Sequence, residues 1–374
     1  MPAALEELRE KIDAADEELL TVLAKRQKLV IQAAEVKKTE QLPSYSPQRE
    51  REVISRREEK AQALGLPPGL LSDIMKRILR ESYKSTGTGR YPCLCPQLGD
   101  VVIAGGCGGM GRIFTRYFES SGYKVFGFGH LGWDKLDEYL EHAGVVIVTV
   151  PIDLTVEVIE KLGPHLNPHM ILCDFTSVKT PAVEAMLRCH KGPVLGLHPM
   201  FGPDIKSLVK QVIAYVPARD EAASAGLVEQ MKLWGARLYK CTAEDHDHAM
   251  SIIQALRHFT TYCYGVFLAD LNPDLHKILE LSSPIYRMEL MMVGRLFAQN
   301  PRLYADIIMS SRQNCELITS YVQSLKPELE LVAKADTEEF TRRFLKAREY
   351  FGSWAEQFLQ ESGSLLAKLQ DERN

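Results

Sequence analysis

The chain has 374 residues, too many for one small core, so its length predicts two or three domains. Hydrophobic residues make up 45% and charged residues 25%, which are the proportions of an ordinary globular protein and exclude wholesale disorder. Lys and Arg number 45 against 49 Asp and Glu, so the net charge of −4 provides no general attraction to nucleic acid.

Signals for export, membrane insertion or metal binding are absent from the sequence. The N-terminal stretch is charged and amphipathic, and no segment approaches the ~20 apolar residues of a membrane helix. The eight cysteines are scattered, with Cys93 and Cys95 as the only close pair, which indicates neither a zinc site nor a disulfide framework. We therefore expect a cytoplasmic protein without a metal, a membrane partner or a nucleic-acid partner.

Residues 1–90 predict an all-α unit of three helices. The stretch from Ala3 to about Lys38 lacks Gly and Pro, and its apolar residues recur every three or four positions. This pattern predicts one amphipathic helix of about 35 residues, much longer than an average globular helix. Ser46 and Pro47 can begin a second helix that ends near Gly65, and a third is predicted from residue 70 to 84. Because one chain cannot bury the apolar face of so long a helix, we expect the first helix to pair with a second copy.

The remainder of the chain predicts an α/β domain followed by an all-α domain. Residues 91–99 complete a stretch whose Gly, Thr and Pro are typical of a linker. From residue 100 to 242, apolar strands alternate with helices, which predicts a Rossmann-like dinucleotide-binding domain with a parallel sheet covered on both faces. Residues 243–374 contain long periodic runs and few glycines, so they predict helices. The expected strands are Val101–Ala104, Lys124–Phe128, Val145–Val150, Met170–Asp174, Val194–Leu197 and Val212–Val216.

A glycine-rich loop directly follows the first predicted strand and precedes a helix. Gly106, Gly108 and Gly111 form a GxGxxG pattern, which allows a tight turn and brings a helix N-terminus toward a pyrophosphate. We assign these glycines, Met110 and His130 to dinucleotide binding; the alternative is a glycine turn that binds nothing. The acid expected ~20 residues further on is missing, and no Arg stands there for a 2′-phosphate. The pattern favours NAD without excluding NADP.

Basic residues interrupt the apolar stripe of the first predicted helix. Arg26 and Lys37 lie on nearly the same face, ~16 Å apart along the axis, so their side chains can converge on one small dianion. Arg9 is ~42 Å from Lys37 and can share that site only from a second protomer. Arg49 and Glu50 of the second helix point toward the same space. The alternative is that these residues are solvated flanks of long helices.

Several stretches resemble known enzyme families. The residues LRxxIDxxDxxL from Leu8, AKR from Ala24 and EVK from Glu35 resemble the all-helical chorismate mutases. The later stretches resemble prephenate dehydrogenase: DFTSVK from Asp174, GLHPMFGP from Gly196, QALRHF from Gln254, SPIYR from Ser283 and VGRLF from Val293. Together and in this order, they resemble the bifunctional chorismate mutase and prephenate dehydrogenase family of bacterial tyrosine biosynthesis.

For the helical unit, the resemblance implies a Claisen rearrangement of chorismate to prephenate. This reaction needs a clamp and stabilisation of charge on the ether oxygen, without a nucleophile or base. Arg26 and the Arg9 side chain of a second protomer would bind the carboxylates, and Lys37 would reach the ether oxygen and a carboxylate. Arg49 would lie nearby, with Glu50 on the ring hydroxyl. Relatives often place a glutamine at the end of the third helix; residues 82–86 contain none.

For the rest of the chain, the resemblance implies NAD-dependent oxidation of prephenate and loss of CO2, giving 4-hydroxyphenylpyruvate. His198 would follow a strand at the carboxyl edge of the sheet and accept the hydroxyl proton, a step suited to an unperturbed imidazole pKa near 6.5. Arg295 would bind a substrate carboxylate, and Ser177 and His258 would lie around substrate and cofactor. The resemblance also implies feedback inhibition by tyrosine and a dimer contact in the C-terminal helices.

Two alternative functions remain open at this level. The dehydrogenase could prefer arogenate, and residues 1–90 could be a non-catalytic module for dimerisation or effector sensing. His246 and His248 resemble a metal pair, but residues two apart on a helix point in different directions, so we expect no shared metal.

Overall fold

A computed structural model describes residues 3–40, 42–43, 45–86 and 91–371, without the side chains of residues 84–86. The chain divides into two compact units, the first ending at His246 and the second beginning at Asp247. Residues 87–90, which precede the predicted linker, lie outside the described part. Within the described ranges, no helix is both long enough and apolar enough to span a membrane.

The three predicted N-terminal helices are confirmed as α1 (Ala3–Thr39), α2 (Pro47–Ala63) and α3 (Leu70–Thr86). The Ser46 Oγ atom accepts a hydrogen bond of 3.3 Å from the Arg49 N–H and so caps α2, as predicted. Helix α1 contains no buried residue. Its stripe is uncovered in the single chain: Leu8, Ile12 and Leu19 are 57%, 59% and 54% exposed.

The central part contains one seven-stranded sheet in the order β2-β1-β3-β4-β5-β6-β7. The strands are β1 (Asp100–Ala104), β2 (Val125–Phe128), β3 (Ala143–Val148), β4 (Ile171–Asp174), β5 (Val194–Pro199), β6 (Val212–Arg219) and β7 (Arg237–Lys240). The helices between them are α4 (Gly109–Ser120), α5 (Leu136–Leu140), α6 (Thr155–Leu162), α7 (Lys179–Cys189) and α8 (Glu221–Leu233). Helices α4 and α8 cover one face and α5, α6 and α7 the other, as a Rossmann-like fold requires.

The prediction of an all-parallel sheet is wrong for the last two strands. Strand β6 is antiparallel to β5, and β7 is parallel to β6, so only β1 to β5 share one direction. The connection from β5 to β6 contains no helix, and antiparallel neighbours need none, whereas parallel strands need a crossover. Strand β7 was not predicted because it is short, polar and mostly exposed, as is usual at a sheet edge.

Two further details concern residues near the sheet. His198 lies within β5, which extends to Pro199, and does not follow the strand. The predicted linker at residues 91–99 is packed, because Tyr91, Cys95 and Leu98 are buried in the core beneath α4 and α8. These three residues therefore contribute to the core on one face of the sheet.

The last part of the chain is helical, as predicted. Helix α9 (Ala243–Met250) crosses from the first unit into the second and continues as a π-helix at Ser251–Leu256. The following helices are α10 (Arg257–Leu271), α11 (Leu275–Leu281), α12 (Pro284–Phe297), α13 (Pro301–Met309), α14 (Arg312–Lys334), α15 (Thr337–Phe351) and α16 (Ser353–Asp371). Short π-helical insertions often occur at functional sites, and this one lies immediately before His258.

Candidate functional site

A cavity of about 340 Å³ lies among the three N-terminal helices. It brings together four of the residues selected from the sequence: Arg26 and Lys37 from α1, and Arg49 and Glu50 from α2. Arg9 is not among the described residues that line it; near the other end of α1, Arg9 forms an ion pair with Glu6 at 3.6 Å. One chain therefore builds the predicted cationic pocket except for Arg9.

Burial strengthens the electrostatics of this pocket. Burial and the nearby positive charge of Arg57 lower the pKa of Arg26, and burial lowers the pKa of Lys37. The Arg26 Nη1 atom donates a 2.9 Å hydrogen bond to the Oγ atom of Ser82, which is only 4% exposed. Because charges attract more strongly in a partly desolvated site, these cations are well placed to hold a small dianion.

Glu50 places one carboxylate beside these cations. The hydroxyl group of Tyr83 donates to its Oε2 atom at 2.9 Å, and the Nζ atom of Lys210 donates to its Oε1 atom. Burial and the hydrogen bond to Glu50 raise the pKa of Tyr83, so this phenol stays protonated as a donor. The carboxylate is thus fixed as a hydrogen-bond acceptor on the pocket wall.

Sequence reasoning missed Ser82, Tyr83 and Lys210. A signal for Ser82 was present, because it falls seven residues after Met75 on the buried face of α3, where an apolar residue is expected. Lys210 gave no such signal, since its partner Glu50 is 160 positions away in the sequence.

The glycine-rich loop between β1 and α4 has the shape that a dinucleotide requires. A Cβ atom on Gly106 would lie 2.5 Å from the Gly127 Cα atom, and one on Gly111 would lie 2.4 Å from the Gly105 carbonyl oxygen. Gly105 itself has a φ of +89°. Only glycines allow the backbone to pass so closely, which exposes the first-turn N–H groups of α4 to a phosphate. The residues present therefore fit a dinucleotide.

The other two predicted cofactor residues lie at the same edge of the sheet. Met110 is in the first turn of α4 and packs partly against the core. His130 is exposed two residues after the end of β2, which pairs in parallel with β1. The carboxyl ends of parallel strands meet at one edge, so His130 and the loop border the same crevice.

At the carboxyl end of β5, His198 forms a buried pair with a second histidine. Its Nδ1 atom is 2.9 Å from the Nε2 atom of His246 on α9, and the two residues are 5% and 3% exposed. One of these two nitrogens must carry the shared proton. If Nδ1 of His198 donates it, Nε2 of His198 is left as a proton acceptor. The sequence contains no signal for this contact, because the two histidines are 48 positions apart.

A buried ion pair supports this pair of histidines. Asp174 and Lys179 are fully buried and bonded to each other, and the Lys179 Nζ atom also donates to the Leu197 carbonyl oxygen at 2.8 Å. Burial raises the pKa of Asp174, while the positive charge of Lys179 and the hydrogen bonds from Lys179 and the Thr176 N–H oppose that shift. The ends of β4 and β5 are thereby tied together beside His198.

Ser177 lies in the turn after β4, between Asp174 and Lys179. Its Oγ atom is buried and has no hydrogen-bond partner within the described part of the chain, and the same is true of Thr176 Oγ1. Unsatisfied buried hydroxyl groups are rare in native proteins. Together with the open first turn of α4, they indicate that a polar ligand belongs at this edge of the sheet.

The two remaining candidates lie in the second unit. His258 is on α10, stacks edge-on against Tyr304 and has its pKa lowered to about 4 by burial and by neighbouring Arg257. It is therefore a neutral imidazole at neutral pH. Arg295 is exposed near the end of α12, which packs against α10. No three His, Cys, Asp or Glu side chains form a metal-site group among the described residues.

Comparisons with known proteins agree with this division of the chain. The family model of chorismate mutase type II matches residues 8–86. The models of the prephenate dehydrogenase nucleotide-binding and dimerization domains match residues 130–239 and 242–346. The T-protein of Enterobacter agglomerans is 48% identical over 373 residues, covering 100% of both chains. The chain belongs to the T-protein family.

A second T-protein, from Haemophilus influenzae, is 43% identical and covers 98% of both chains. A crystal structure of prephenate dehydrogenase from A. aeolicus in complex with hydroxyphenyl propionate and NAD+ is 18% identical, with a TM-score of 0.56. It covers 67% of this chain and 96% of that chain, which supports the dehydrogenase fold. As a T-protein family member, the chain carries both a chorismate mutase and a prephenate dehydrogenase.

Replacing His246 tests the role of the histidine pair in this T-protein family member. In His246→Asn, His198 loses the buried imidazole that lies 2.9 Å from its Nδ1 atom and orients its ring, so dehydrogenase kcat is expected to fall about 10- to 100-fold. The KM for NAD and the mutase rate should be unchanged. The measurement is steady-state reduction of NAD with prephenate.

His248→Asn is the matched control for this change. His248 is on the same helix, but its Nδ1 atom lies 3.2 Å from the Gln313 amide nitrogen in the second unit. Full turnover by His246→Asn, or an equal loss in His248→Asn, would contradict a specific role for the pair.

Proposed function

We propose that the chain catalyses two successive steps of tyrosine biosynthesis: rearrangement of chorismate to prephenate, and NAD-dependent oxidative decarboxylation of prephenate to 4-hydroxyphenylpyruvate. The observation that carries the proposal is the presence of two different sites in one chain. One is the cationic pocket containing Arg26 and Lys37, and the other is the glycine loop with the buried His198 at the same edge of the sheet.

In the mutase reaction, the pocket acts as a clamp. Arg26 binds a carboxylate, held by its hydrogen bond to Ser82. Lys37 places its ammonium group at the ether oxygen, where negative charge develops as the C–O bond breaks. Arg49 adds positive charge, and Glu50 accepts a hydrogen bond from the ring hydroxyl. No proton needs to be transferred, so the rate depends on positioning and charge.

We propose that the mutase site is completed in a homodimer. The 37-residue α1 buries none of its residues within the chain and exposes an apolar stripe along its length. Pairing with the same helix of a second copy would cover that stripe. In a symmetric antiparallel pair, the N-terminal part of each partner's α1 would reach the pocket of the other chain. Arg9 of a second protomer then supplies the further cation that one chain cannot provide.

In the dehydrogenase reaction, the loop residues Gly106, Gly108 and Gly111 would hold the pyrophosphate of NAD at the N-terminus of α4. NAD bound there would supply the hydride acceptor for the ring carbon that bears the hydroxyl group. His198 accepts the hydroxyl proton at Nε2, while its Nδ1–H donates to His246. Loss of the ring carboxylate as CO2 then makes the ring aromatic.

The remaining residues are assigned to binding. Arg295 has the planar guanidinium suited to a substrate carboxylate, and the unpartnered Ser177 hydroxyl suits a polar group of substrate or cofactor. The neutral imidazole of His258 suits a hydrogen bond to the substrate. Met110 and His130 border the cofactor.

We place the domains at residues 1–90, 100–242 and 243–374, joined at 91–99, and we place the enzyme in the cytoplasm. All eight cysteines are free thiols, as is usual in a reducing compartment. Tyrosine, the product of the pathway, is proposed as a feedback inhibitor because it resembles prephenate. Both have a six-membered ring with a three-carbon acid side chain, which is pyruvyl in prephenate and alanyl in tyrosine.

A coupled assay tests both activities at once. Purified protein with chorismate and NAD should reduce NAD, because the first reaction makes the substrate of the second. If NAD is reduced when prephenate is supplied but not when chorismate is supplied, only the dehydrogenase activity is supported. No reduction of NAD with either substrate would contradict the proposal. Repeating the assay with NADP and with arogenate measures both preferences; we expect NAD and prephenate to be used faster.

A further inference from the structure

Lys210 extends from the dehydrogenase part of the chain to the mutase pocket. It is the second-last residue of the segment between β5 and β6, and its ammonium group bonds to Glu50 on α2. The Glu50 side chain is only 10% exposed in this contact, whereas Lys210 is 49% exposed. Lys210 therefore approaches the carboxylate from outside the pocket.

The backbone and the surroundings of Lys210 hold it in place. Its φ is +67°, in the left-handed region that a lysine seldom adopts, and its N–H donates to the Gly235 carbonyl oxygen at 2.9 Å. Its Nζ atom also lies 5.4 Å from the centre of the Tyr45 ring, which stacks edge-on against Tyr83. An unusual backbone conformation held by several contacts suggests a function for that residue.

We propose that Lys210 is a positioning residue of the mutase, which neutralises Glu50 so that the pocket can accept a dianionic substrate. The inference rests on the proposed placement of the mutase site in this pocket. A carboxylate on the wall of the pocket repels the two carboxylates of chorismate, and that repulsion is strong in a partly desolvated site. Lys210 offsets it without entering the cavity, and it holds the Oε1 atom while Tyr83 holds Oε2.

The test is Lys210→Met in the full-length protein, measured as mutase activity with chorismate. The KM for chorismate is expected to rise about fivefold, and kcat should change less than twofold. A fivefold change corresponds to the upper end of the free energy that a partly exposed ion pair contributes. Lys210→Arg should restore KM to within about twofold, because it keeps the charge. Lys232→Met is the matched control, since Lys232 pairs with Glu229 at 2.7 Å on the same part of the chain.

A second pair of variants separates an electrostatic role from a merely structural one. In a Glu50→Gln background, Lys210→Met should change KM less than twofold, because no carboxylate remains to be neutralised. Equal losses in both backgrounds, or a wild-type KM in Lys210→Met, would overturn the inference. Lys37→Ala is measured in the same assay to test the placement of the site. If Lys37→Ala keeps full mutase activity, the mutase site is not in this pocket. If Lys37→Ala is inactive but Lys210→Met has a normal KM, only the role of Lys210 is refuted.

Discussion

His198→Asn is expected to lower the dehydrogenase kcat about 100- to 10,000-fold, the contribution usual for a general base. Asparagine is polar and of similar size, but it has no nitrogen that can take up the hydroxyl proton. The reaction needs a neutral base, so wild-type kcat/KM should rise with pH on the acidic side. This acidic limb of the pH profile should disappear in His198→Asn. The measurement is NAD reduction with prephenate across a range of pH.

Two controls make the result for His198 specific. Mutase activity on chorismate should be unchanged, because the pocket of Arg26 and Lys37 is built by other elements. His165→Asn should have no effect on either reaction, since His165 is exposed and bonded to Asp137 at 2.9 Å. Normal turnover and an unchanged pH profile in His198→Asn would refute the role of His198 as the base.

Lys37→Ala is expected to lower the mutase kcat/KM about 100- to 1,000-fold, as removal of one donor from a charge-stabilising site commonly does. Alanine removes the ammonium group at the position proposed for the ether oxygen. Dehydrogenase activity with supplied prephenate should be retained. The measurement is loss of chorismate, with Lys60→Ala, an exposed lysine on α2, as the control. Unchanged mutase turnover would reduce residues 1–90 to a non-catalytic module.

The pH dependence of the wild-type enzyme gives a further test of Lys37. Since burial lowers the pKa of Lys37, wild-type mutase kcat/KM should begin to fall with rising pH at a pH below the ordinary lysine pKa of ~10.4. Lys37→Arg should remove this alkaline limb of the pH profile.

Mixing Lys37→Ala subunits with inactive Arg9→Ala subunits should restore about a quarter of wild-type mutase activity, because half the dimers then contain one intact site out of two. No recovery after exchange of subunits would contradict the contribution of Arg9 across the dimer.

The local patterns determined much of this protein. The helix boundaries around Ser46 and Pro47, the glycine loop after β1 and the order of α, α/β and α segments follow from neighbouring residues: caps, periodicity and backbone freedom. Arg26 and Lys37 were found for the same reason, because a regular helix fixes which residues share a face. The family resemblance added the chemistry of His198, for which spacing alone gives no signal.

Only the tertiary structure decided the contacts between distant segments. His246 is 48 positions from His198, and Lys210 is 160 from Glu50, so no local period connects either pair. The reversed direction of β6 and β7 also depends on how the sheet is completed, not on strand composition. The sequence by itself predicted most of the strands, the N-terminal helices and the candidate reactive side chains, since those depend on near neighbours. The partners that orient and neutralise these side chains depend on chain segments meeting in the folded state.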